Sequence, residues 1–433
     1  MKVTVIGTGF VGVVTAAVLA SFKNDVVGLD IDPKKVESLS QGKVPFFEPG
    51  LEDLLQQELQ NGQLTFTTDY AAAITDADVI LIAVGTPSAP DGNADLTYVK
   101  KSAEALAPHL KEGAVVAIKS TVPPGTLDVI RPIIEEKATV DFVMASLPEF
   151  LREGSAVQDT LHPDRVVIGC TDPDGLAILR ELHTPFHAPI IEVSPESAQM
   201  GKYSANAYLA TRITFINQIA DLCEKNGADV NEVIKIIGQD NRIGTHYWYP
   251  GFGYGGSCFP KDVKELAAYS RTVGFGSNLF NKITELNEDR IFEKLDQYEK
   301  RIGSWDDKTV AVLGLSFKPH TDDMREAPST KIVPHLLNKG AKVQAYDPMA
   351  LEMAEQVFGA ADGLQLTDDI TKAIAGADVV LAVIEWPQIV EFDFAGVEKP
   401  TVFIDGRNQF DGERLTAAGW QYIGMGTGDV AHV

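Results

Sequence analysis

The first thirty residues contain a pattern that few folds can accommodate. A β-branched strand at residues 2–6 leads into Gly-x-Gly-x-x-Gly at residues 7–12, an apolar helix, a second strand at residues 25–29, and then Asp30. In this context the three glycines allow a tight turn, a close approach of backbone to pyrophosphate, and close packing of helix on strand. The pattern predicts a Rossmann-type βαβ unit that opens a doubly wound parallel sheet and binds a dinucleotide.

Polar residues that follow the strands indicate which dinucleotide is bound. Asp30 would accept hydrogen bonds from ribose hydroxyls and repel a 2′-phosphate, which favours NAD over NADP. Lys34 and Lys35, close behind, oppose this preference. Thr86 and Thr121 follow two further apolar strands, where ligands of such sheets lie, and they either contact the ligand or cap helices.

The opening pattern recurs near the end of the chain. Strand and turn patterns like those of the first domain lie at residues 309–314, 341–348 and 376–383. We therefore expect a second α/β domain of the same type. Its first turn lacks the glycine fingerprint, so a second NAD is not expected there. Lys318, Arg325 and Arg407 at its strand ends indicate another phosphate-containing ligand.

The region between the two α/β patterns is helical. Ser194 and Pro195 have the properties of an N-cap and a first helical residue, and no strong breaker follows until Gly227. The predicted helix has about 32 residues and a length of roughly 48 Å. So long an apolar helix needs cover on several sides, which favours a domain-bridging or dimer-core role. Lys202 and Asn206 share one face, and Lys202 either meets a partner or extends to water.

A glycine-rich segment at residues 251–256 leads into Cys258. Pro260 suits a first helical position, so the segment predicts a helix from Lys261 to about residue 269 with Cys258 beside its N-terminus. The helix dipole and free amides lower a thiol pKa from roughly 8.5 and can hold an oxyanion. Asp262 lies in the first turn, near the thiol. The alternative is a glycine-rich loop beside an inert, buried cysteine.

Composition limits the partners and the compartment. The net charge of −24 argues against nucleic acids and anionic membrane surfaces, so an anionic ligand needs a locally basic pocket. Three widely spaced cysteines do not suggest a disulfide framework and fit the cytoplasm. No leader peptide is expected before the first strand. No apolar run approaches the roughly 20 residues of a membrane span. No metal site is expected.

The predicted fold class is α/β. At 433 residues the chain is too long for one core. We expect two Rossmann-like doubly wound parallel-sheet domains, joined by the long central helix and a helical middle domain. The predicted boundaries are 1–193, 194–300 and 301–433.

Six motifs, in order along essentially the whole chain, resemble the UDP-glucose/GDP-mannose 6-dehydrogenase family. They lie at residues 7–12, 120–125, 148–154, 202–206, 252–262 and 321–326. The resemblance implies oxidation of the C6 hydroxyl of a sugar nucleotide to a carboxylate in two NAD-dependent steps. It also implies a homodimer built on the long helix.

The resemblance further implies catalytic roles. Cys258 would form a thiohemiacetal and then a thioester, which water hydrolyses. Lys202 and Asn206 would stabilise developing oxyanions. Asp262 would orient or activate water, and Glu149 would act as general acid/base in the thioester step. The expected catalytic residues are Cys258, Lys202, Asn206, Asp262, Glu149 and Thr121.

Two sets of ligand-binding residues follow from the same resemblance. The cofactor set is Gly7, Gly9, Phe10, Val11, Gly12, Asp30, Lys35, Thr86, Thr121, Glu153 and Arg325. The substrate set is Glu149, Phe150, Leu151, Lys202, Asn206, Arg242, Phe252, Gly253, Tyr254, Gly255, Lys318 and Arg407. Arg242 matches a position that reaches the substrate of the partner subunit.

Residues 149–153 and 161–169 together are most similar to the UDP-glucose branch, so UDP-glucose is the expected substrate and UDP-glucuronate the product. Gly251, where many members have serine, and the compact loop at 88–95 depart from the family pattern near binding loops. GDP-mannose and UDP-N-acetylhexosamines remain alternative substrates. More remote alternatives are a single-step dehydrogenase of the β-hydroxyacid type and a non-catalytic NAD or nucleotide-sugar sensor.

Overall fold

The computed structural model describes residues 1–276, 279–397 and 402–427. The chain divides into two compact units, Met1–Ala205 with Glu265–Phe275, and Asn206–Lys264 with Gly276–Val433. The domain boundaries expected after residues 193 and 300 stay a prediction.

An eight-stranded sheet forms the centre of the first unit. Its strands are β1 (Lys2–Ile6), β2 (Asp25–Leu29), β3 (Leu64–Thr67), β4 (Val79–Ile82), β5 (Ala114–Ile118), β6 (Phe142–Ser146), β7 (Val166–Gly169) and β8 (Ile190–Val193). Their order is β3-β2-β1-β4-β5-β6-β7-β8. The chain thus moves from β1 towards one edge of the sheet as far as β3, and then returns to the other side of β1 with β4. Such a switch point leaves a crevice at the carboxyl ends of the strands, where ligands of doubly wound sheets bind.

Helices cover both faces of this sheet. They are α1 (Phe10–Ser21), α2 (Pro33–Ser40), α3 (Leu51–Gln60), α4 (Tyr70–Ile74), α5 (Thr97–Leu106), α6 (Thr126–Glu135), α7 (Ala156–Leu161) and α8 (Pro173–His183). Successive residues of β4 and β5 therefore enter two different cores: Leu81 and Ala117 pack on one side of the sheet, Ile80 and Val116 on the other. Burial on both faces explains why these strands are apolar runs without alternation.

The last two strands of the first sheet differ from the expected parallel arrangement. β6 and β7 pair antiparallel through Ser146 and Gly169, whereas β8 is parallel to β7. The connection from β6 to β7 contains only the short helix α7. An antiparallel neighbour needs no crossover, because the end of one strand and the start of the next lie at the same edge.

The second unit contains the predicted repeat. Its strands are β9 (Thr309–Leu313), β10 (Lys342–Tyr346), β11 (Leu364–Thr367), β12 (Val379–Ala382), β13 (Val402–Asp405) and β14 (Gln421–Gly424). They form a parallel sheet in the order β11-β10-β9-β12-β13-β14, the same order as the first six strands of the chain. The prediction of two doubly wound α/β sheets is confirmed.

Of the remaining helices, α9 to α12 lie between the two sheets in the chain, and α13 to α17 alternate with the strands of the second sheet. They are α9 (Pro195–Asn226), α10 (Val230–Gly238), α11 (Phe259–Thr272), α12 (Leu279–Ile302), α13 (Ser329–Asn338), α14 (Leu351–Phe358), α15 (Ile370–Ile374), α16 (Pro387–Val390) and α17 (Gly412–Ala417). α9 has the predicted start and 32 residues. Within the described part of the chain, no helix has the length and apolarity needed to cross a bilayer.

α11 begins two residues earlier than predicted. The Asp262 N–H donates to the Cys258 carbonyl at 2.8 Å, which is the first hydrogen bond of the helix. Cys258 is therefore the N-cap of α11, and its side chain lies at the helix terminus itself.

Gly12 and Gly9 provide a matched test of why the first turn is glycine-rich. A Cβ on Gly12 would lie 1.8 Å from the Gly7 carbonyl oxygen, whereas one on Gly9 would meet nothing within 4 Å. We expect Gly12→Ala to lower the unfolding free energy by roughly 1–3 kcal/mol or more, because helix and turn must separate. Gly9→Ala, whose φ of −76° suits alanine, should match wild type in a thermal melt. Equal melting temperatures for the two variants would contradict this account.

Candidate functional site

The glycine turn of the first unit lies at the carboxyl end of β1. Gly7 has a φ of +92°, which an L side chain rarely adopts. No side chain caps the N-terminus of α1, and Gly9 faces open space, with the half-buried Phe10 and Val11 following it. Amides at an uncapped helix N-terminus bind phosphate oxygens, so this turn fits the pyrophosphate of a dinucleotide.

Asp30, at the end of β2, is held as a carboxylate. It accepts hydrogen bonds from the Thr8 N–H at 2.9 Å and the Thr8 hydroxyl at 2.7 Å, and pairs with Lys35 at 3.1 Å. Burial alone would raise the Asp30 pKa, but these contacts and the Asp32 amide outweigh burial and lower it. Sequence reasoning missed Ile31, whose largely exposed side chain offers an apolar surface for a base beside Asp30.

Thr86 and Thr121 meet at the carboxyl ends of β4 and β5. The Thr86 hydroxyl donates to the Thr121 carbonyl at 2.9 Å. The residues at the N-caps of the following helices are Leu96 for α5 and Gly125 for α6. The alternative that these threonines cap helices is therefore wrong, and they lie in the crevice of the sheet.

A buried ion pair follows β6. The Lys202 ammonium lies 2.8 Å from Glu149 Oε1, and both side chains are less than a tenth exposed. The other Glu149 oxygen accepts the Leu151 N–H at 2.8 Å. Lys202 also lies 5.4 Å from the centre of the Phe150 ring, over which Arg165 stacks at 3.7 Å. Lys202 therefore meets a partner rather than extending to water, so the snorkelling alternative is wrong.

Glu153 is buried in the loop that continues from this pair. The loop is anchored by Glu48, which accepts the N–H groups of Gly154 at 2.6 Å and Ala156 at 2.7 Å. Sequence reasoning missed Glu48, because a carboxylate so far away in the chain carries no local signal of its contacts.

Cys258, in the second unit, has an exposed side chain, whereas Cys170 and Cys223 are buried. Asp262 lies one helical turn after it, is almost wholly buried, and accepts the Asn206 amide at 2.6 Å and pairs with Lys261 at 2.8 Å. The alternative of a buried thiol is wrong for Cys258. The arrangement provides a thiol at a helix N-terminus and a fixed carboxylate within the same turn.

Three polar residues missed by sequence reasoning hold the glycine-rich segment. Asn287 of α12 accepts the Tyr254 N–H at 2.8 Å and donates to the Tyr254 carbonyl at 3.0 Å. Asn217 of α9 accepts the Gly251 N–H at 2.8 Å, and Arg290 donates to the Gly251 carbonyl. The only sequence signal is the three-residue spacing of Asn287 and Arg290, which places both on one face of α12.

The glycines of this segment are required by the protein's own packing. A Cβ on Gly253 would lie 2.6 Å from Asn287 Oδ1, and one on Gly255 would lie 2.3 Å from the Glu326 carbonyl oxygen. The Phe252 side chain is buried in the core of the second unit. These positions can therefore reach a substrate through their backbone, but Phe252 does not offer its ring.

Arg407 of the second unit meets a carboxylate that was not predicted. The Arg407 guanidinium donates two hydrogen bonds to the Glu385 carboxylate, from Nε at 2.7 Å and from Nη2 at 2.8 Å. Burial opposes ionisation of Glu385, yet Arg407 and Lys318 hold its pKa below the usual range. The basic pocket expected for an anionic ligand therefore already contains one negative charge.

The other two predicted arginines have exposed side chains. Arg325 pairs with Asp323 at 2.7 Å, and Arg242 pairs with Asp240 at 2.6 Å. Each of these ion pairs joins residues two apart in the chain. Among the described residues, no group of His, Cys, Asp and Glu is arranged to hold a metal ion.

The chain is similar to known proteins over its whole length. Three models of the UDP-glucose/GDP-mannose dehydrogenase family match the chain: the NAD binding domain at residues 1–187, the central domain at 196–289 and the UDP binding domain at 311–412. UDP-glucose 6-dehydrogenase TuaD of Bacillus subtilis is 44% identical over 430 residues, covering 98% of this chain and 93% of that protein. UDP-glucose 6-dehydrogenase of Pseudomonas aeruginosa is 40% identical over 449 residues, covering 100% and 99%.

A solved structure agrees with these sequence matches. The UDP-glucose dehydrogenase from the archaeon Pyrobaculum islandicum superposes with a TM-score of 0.92 at 36% identity, covering 98% of this chain and 97% of that one.

Asn287→Ala tests whether the glycine-rich segment depends on α12. The substitution leaves the buried N–H and C=O of Tyr254 without partners, and each unmade buried hydrogen bond costs roughly 1–3 kcal/mol. We expect a lower unfolding free energy in urea and faster amide exchange at Tyr254. Asn287→Asp, which keeps the acceptor but loses the donor, should be intermediate. Lys282→Ala, at an exposed position of the same helix, is the control. If the Tyr254 amide were as protected from exchange in Asn287→Ala as in wild type, Asn287 would not hold the glycine-rich segment.

Proposed function

The chain belongs to the UDP-glucose/GDP-mannose dehydrogenase family, and we propose that it oxidises C6 of UDP-glucose to the carboxylate of UDP-glucuronate. Bound NAD would supply the hydride acceptor for each of the two oxidations at C6, so the reaction would use two NAD molecules per sugar. The observation that carries this proposal is the exposed thiol at the N-terminus of α11, one turn from a buried carboxylate, in a chain that also has an NAD binding domain. A single-step dehydrogenase has no use for that thiol.

In the first oxidation, C6 loses a hydride and its hydroxyl loses a proton, which gives an aldehyde. The buried Glu149–Lys202 pair, with its 2.8 Å contact, offers an ammonium for the developing oxyanion and a carboxylate for the proton. Preorganised groups of this kind stabilise the charge that develops in the transition state, because they need no reorganisation during the reaction.

In the second oxidation, the Cys258 sulfur adds to the aldehyde and forms a thiohemiacetal. Loss of a second hydride and a proton gives a thioester, and water then releases the carboxylate and regenerates the thiol. Asp262, fixed by Asn206 and Lys261, orients that water. Glu149 acts as general acid/base in the same step, with Thr121 as a further polar contact.

NAD is preferred to NADP because of how Asp30 and Lys35 are paired. The Asp30 carboxylate stays ionised and repels a 2′-phosphate, while the Lys35 ammonium is already engaged by Asp30 at 3.1 Å. Lys35 therefore offers little extra charge for that phosphate.

A homodimer through α9 is supported by an exposed apolar stripe. Tyr208, Phe215 and Leu222 recur every seven residues on α9, and each is more than half exposed. Apolar residues at this spacing share one helix face and favour pairing with another helix. In such a dimer the exposed Arg242 would reach the partner's substrate.

A cytoplasmic location is part of the proposal. All three cysteines of the chain lie in its described part and none forms a disulfide, which fits a reducing compartment.

The ratio of NADH formed to sugar consumed tests the reaction. We expect two NADH per UDP-glucose for wild type. In Cys258→Ser we expect a loss of the second oxidation, because an oxygen ester on serine does not form or hydrolyse as readily as a thioester. Cys223→Ala, at a buried thiol, is the control and should keep the ratio of two. Complete two-step turnover by Cys258→Ser would refute the thioester route.

The same assay decides the sugar. Initial rates with UDP-glucose, GDP-mannose and UDP-N-acetylhexosamines should be highest with UDP-glucose. A higher kcat/KM with one of the other sugar nucleotides would move the proposal to that substrate.

Phe215→Glu tests the dimer. A charge in the middle of the apolar stripe should shift the mass measured by analytical ultracentrifugation from dimer to monomer. Val129→Glu, at an exposed apolar position on α6, should leave the mass unchanged. A monomeric wild type, or a dimeric Phe215→Glu, would exclude α9 as the interface.

A further inference from the structure

Gly251 opens the glycine-rich segment, and the reaction described above gives its missing side chain no role. A Cβ on Gly251 would lie 2.8 Å from Nη1 of Arg407 and 3.2 Å from the Gly406 carbonyl oxygen. The φ of Gly251 lies outside the left-handed region, so its backbone conformation does not require glycine. What a side chain here would meet is the Arg407 guanidinium, which therefore lies directly against the segment.

Gly251 has little freedom to move away from this guanidinium. Asn217 accepts its N–H at 2.8 Å, and the buried Arg290 donates to its carbonyl. The next residue, Phe252, packs on the turn after β13, where a Cβ on Gly406 would lie 2.5 Å from the Phe252 ring. The start of the glycine-rich segment and the turn after β13 are thus in fixed contact.

The orientation of Arg407 is set by Glu385. Arg407 follows β13 and Glu385 follows β12, and these strands are parallel neighbours. Both side chains therefore start at the carboxyl edge of the second sheet, where ligands of doubly wound sheets bind. The hydrogen bonds from Nε and Nη2 to the Glu385 carboxylate fix the plane of the guanidinium. Less than a third of either side chain is exposed, so water does little to weaken this pair.

Nη1 is the part of the guanidinium that this pair leaves available. Nε and Nη2 lie on one edge of the planar group, so Nη1 faces away from the carboxylate and lies beside Gly251. Within the described part of the chain, no acceptor is hydrogen-bonded to Nη1. A guanidinium binds phosphate oxygens through such N–H groups. Arg407 thus has one edge held by the protein and one pair of donors beside the segment that leads to Cys258.

We propose that Glu385 and Gly251 are positioning residues that direct Nη1 of Arg407 to the diphosphate of a UDP-sugar. Glu385 holds the plane of the guanidinium, and Gly251 leaves the space that Nη1 occupies. This rests on the proposed function, in which Arg407 contacts the substrate. It is supported by the match of the UDP binding domain to residues 311–412, which include both Glu385 and Arg407. A carboxylate beside an anionic ligand opposes binding by its charge, and the orientation of Arg407 gives it a purpose there.

Glu385→Gln tests the carboxylate. The amide keeps one acceptor but loses the charge and the second hydrogen bond, so the guanidinium is no longer fixed. We expect the Kd for UDP, measured by calorimetry, and the KM for UDP-glucose to rise roughly 10- to 100-fold. The kcat at saturating UDP-glucose should stay near wild type, because the lost interaction is one of binding. Asp393→Asn, which makes the same change at an exposed pair with Arg414, is the control and should keep the wild-type Kd.

The direction of this effect is decisive, because removal of a negative charge alone would favour an anionic ligand. Weaker binding by Glu385→Gln agrees with a positioning role, and it does so against the electrostatic trend. Equal or tighter UDP binding would overturn the proposal, since Glu385 would then act only as a repelling charge.

Gly251→Ala tests the space beside Nη1 without altering any charge. The methyl group would push Nη1 from its place, so we expect the Kd for UDP to rise about tenfold. Gly276→Ala is the control, because its Cβ would meet nothing within 4 Å and its φ lies outside the left-handed region. An unchanged Kd in Gly251→Ala would overturn the role of Gly251, because Nη1 would then not need this space.

A chain that carries Arg407→Met shows whether both residues act through the guanidinium. In this background neither Glu385→Gln nor Gly251→Ala should weaken UDP binding further, because the group that they position is gone. A further loss from either substitution would overturn the proposal. If Gly251→Ala melts below wild type, Glu385→Gln alone and in this background still decides the role of the carboxylate.

UDP binding also separates this proposal from the proposed function. A wild type that binds UDP but forms no NADH from UDP-glucose refutes the proposed function, and the UDP affinities of the variants still judge Glu385 and Gly251. An NADH ratio of two with a wild-type Kd in Glu385→Gln refutes the positioning role alone.

Discussion

The buried ion pair between Glu149 and Lys202 is the interaction on which the arrangement of the segment after β6 depends. Breaking a buried pair by removing one partner costs roughly 3–5 kcal/mol, because it leaves an uncompensated charge. The pair joins the segment after β6 to α9 at 2.8 Å and orders the Leu151 amide through the second carboxylate oxygen.

The second unit positions its exposed thiol by a different means. Cys258 is exposed, and what is fixed is the backbone that leads to it. Asn217 and Arg290 bind the two backbone polar groups of Gly251, and Asn287 binds both of those of Tyr254. Because a buried backbone group without a partner is costly, these amides and the guanidinium select one path for a segment whose glycines would otherwise allow many.

The sequence was sufficient for features that depend on local pattern. The bounds of β1 and β2, the start of α9 and the position of Cys258 at a helix N-terminus follow from periodicity, capping residues and glycine spacing. It was insufficient where a side chain meets a partner distant in the chain. Examples are the contacts of Glu48, those of Asn287, and the hydrogen bonds from Arg407 to Glu385. The direction of β7 also escaped prediction, because an apolar run has the same pattern in a parallel and in an antiparallel pair.

The two copies of the fold show why a repeated pattern need not bind the same ligand. Gly7 and Gly314 occupy equivalent turns, with φ of +92° and +95°, and each N–H donates at 2.8 Å to the last residue of the neighbouring strand. The acidic residues that follow those strands then differ. Asp30 retains some exposure, whereas Asp347 is fully buried and accepts from the Leu315 and Ser316 amides and the Trp386 indole.

The helix that follows the turn differs as well. α1 begins at Phe10, directly after the glycine turn, whereas α13 begins only at Ser329. The second copy therefore has neither a helix N-terminus at its turn nor an available carboxylate for a ribose. Since a dinucleotide needs both, the second copy lacks the features that suit the first to a dinucleotide, which agrees with its match to the UDP binding domain of the family.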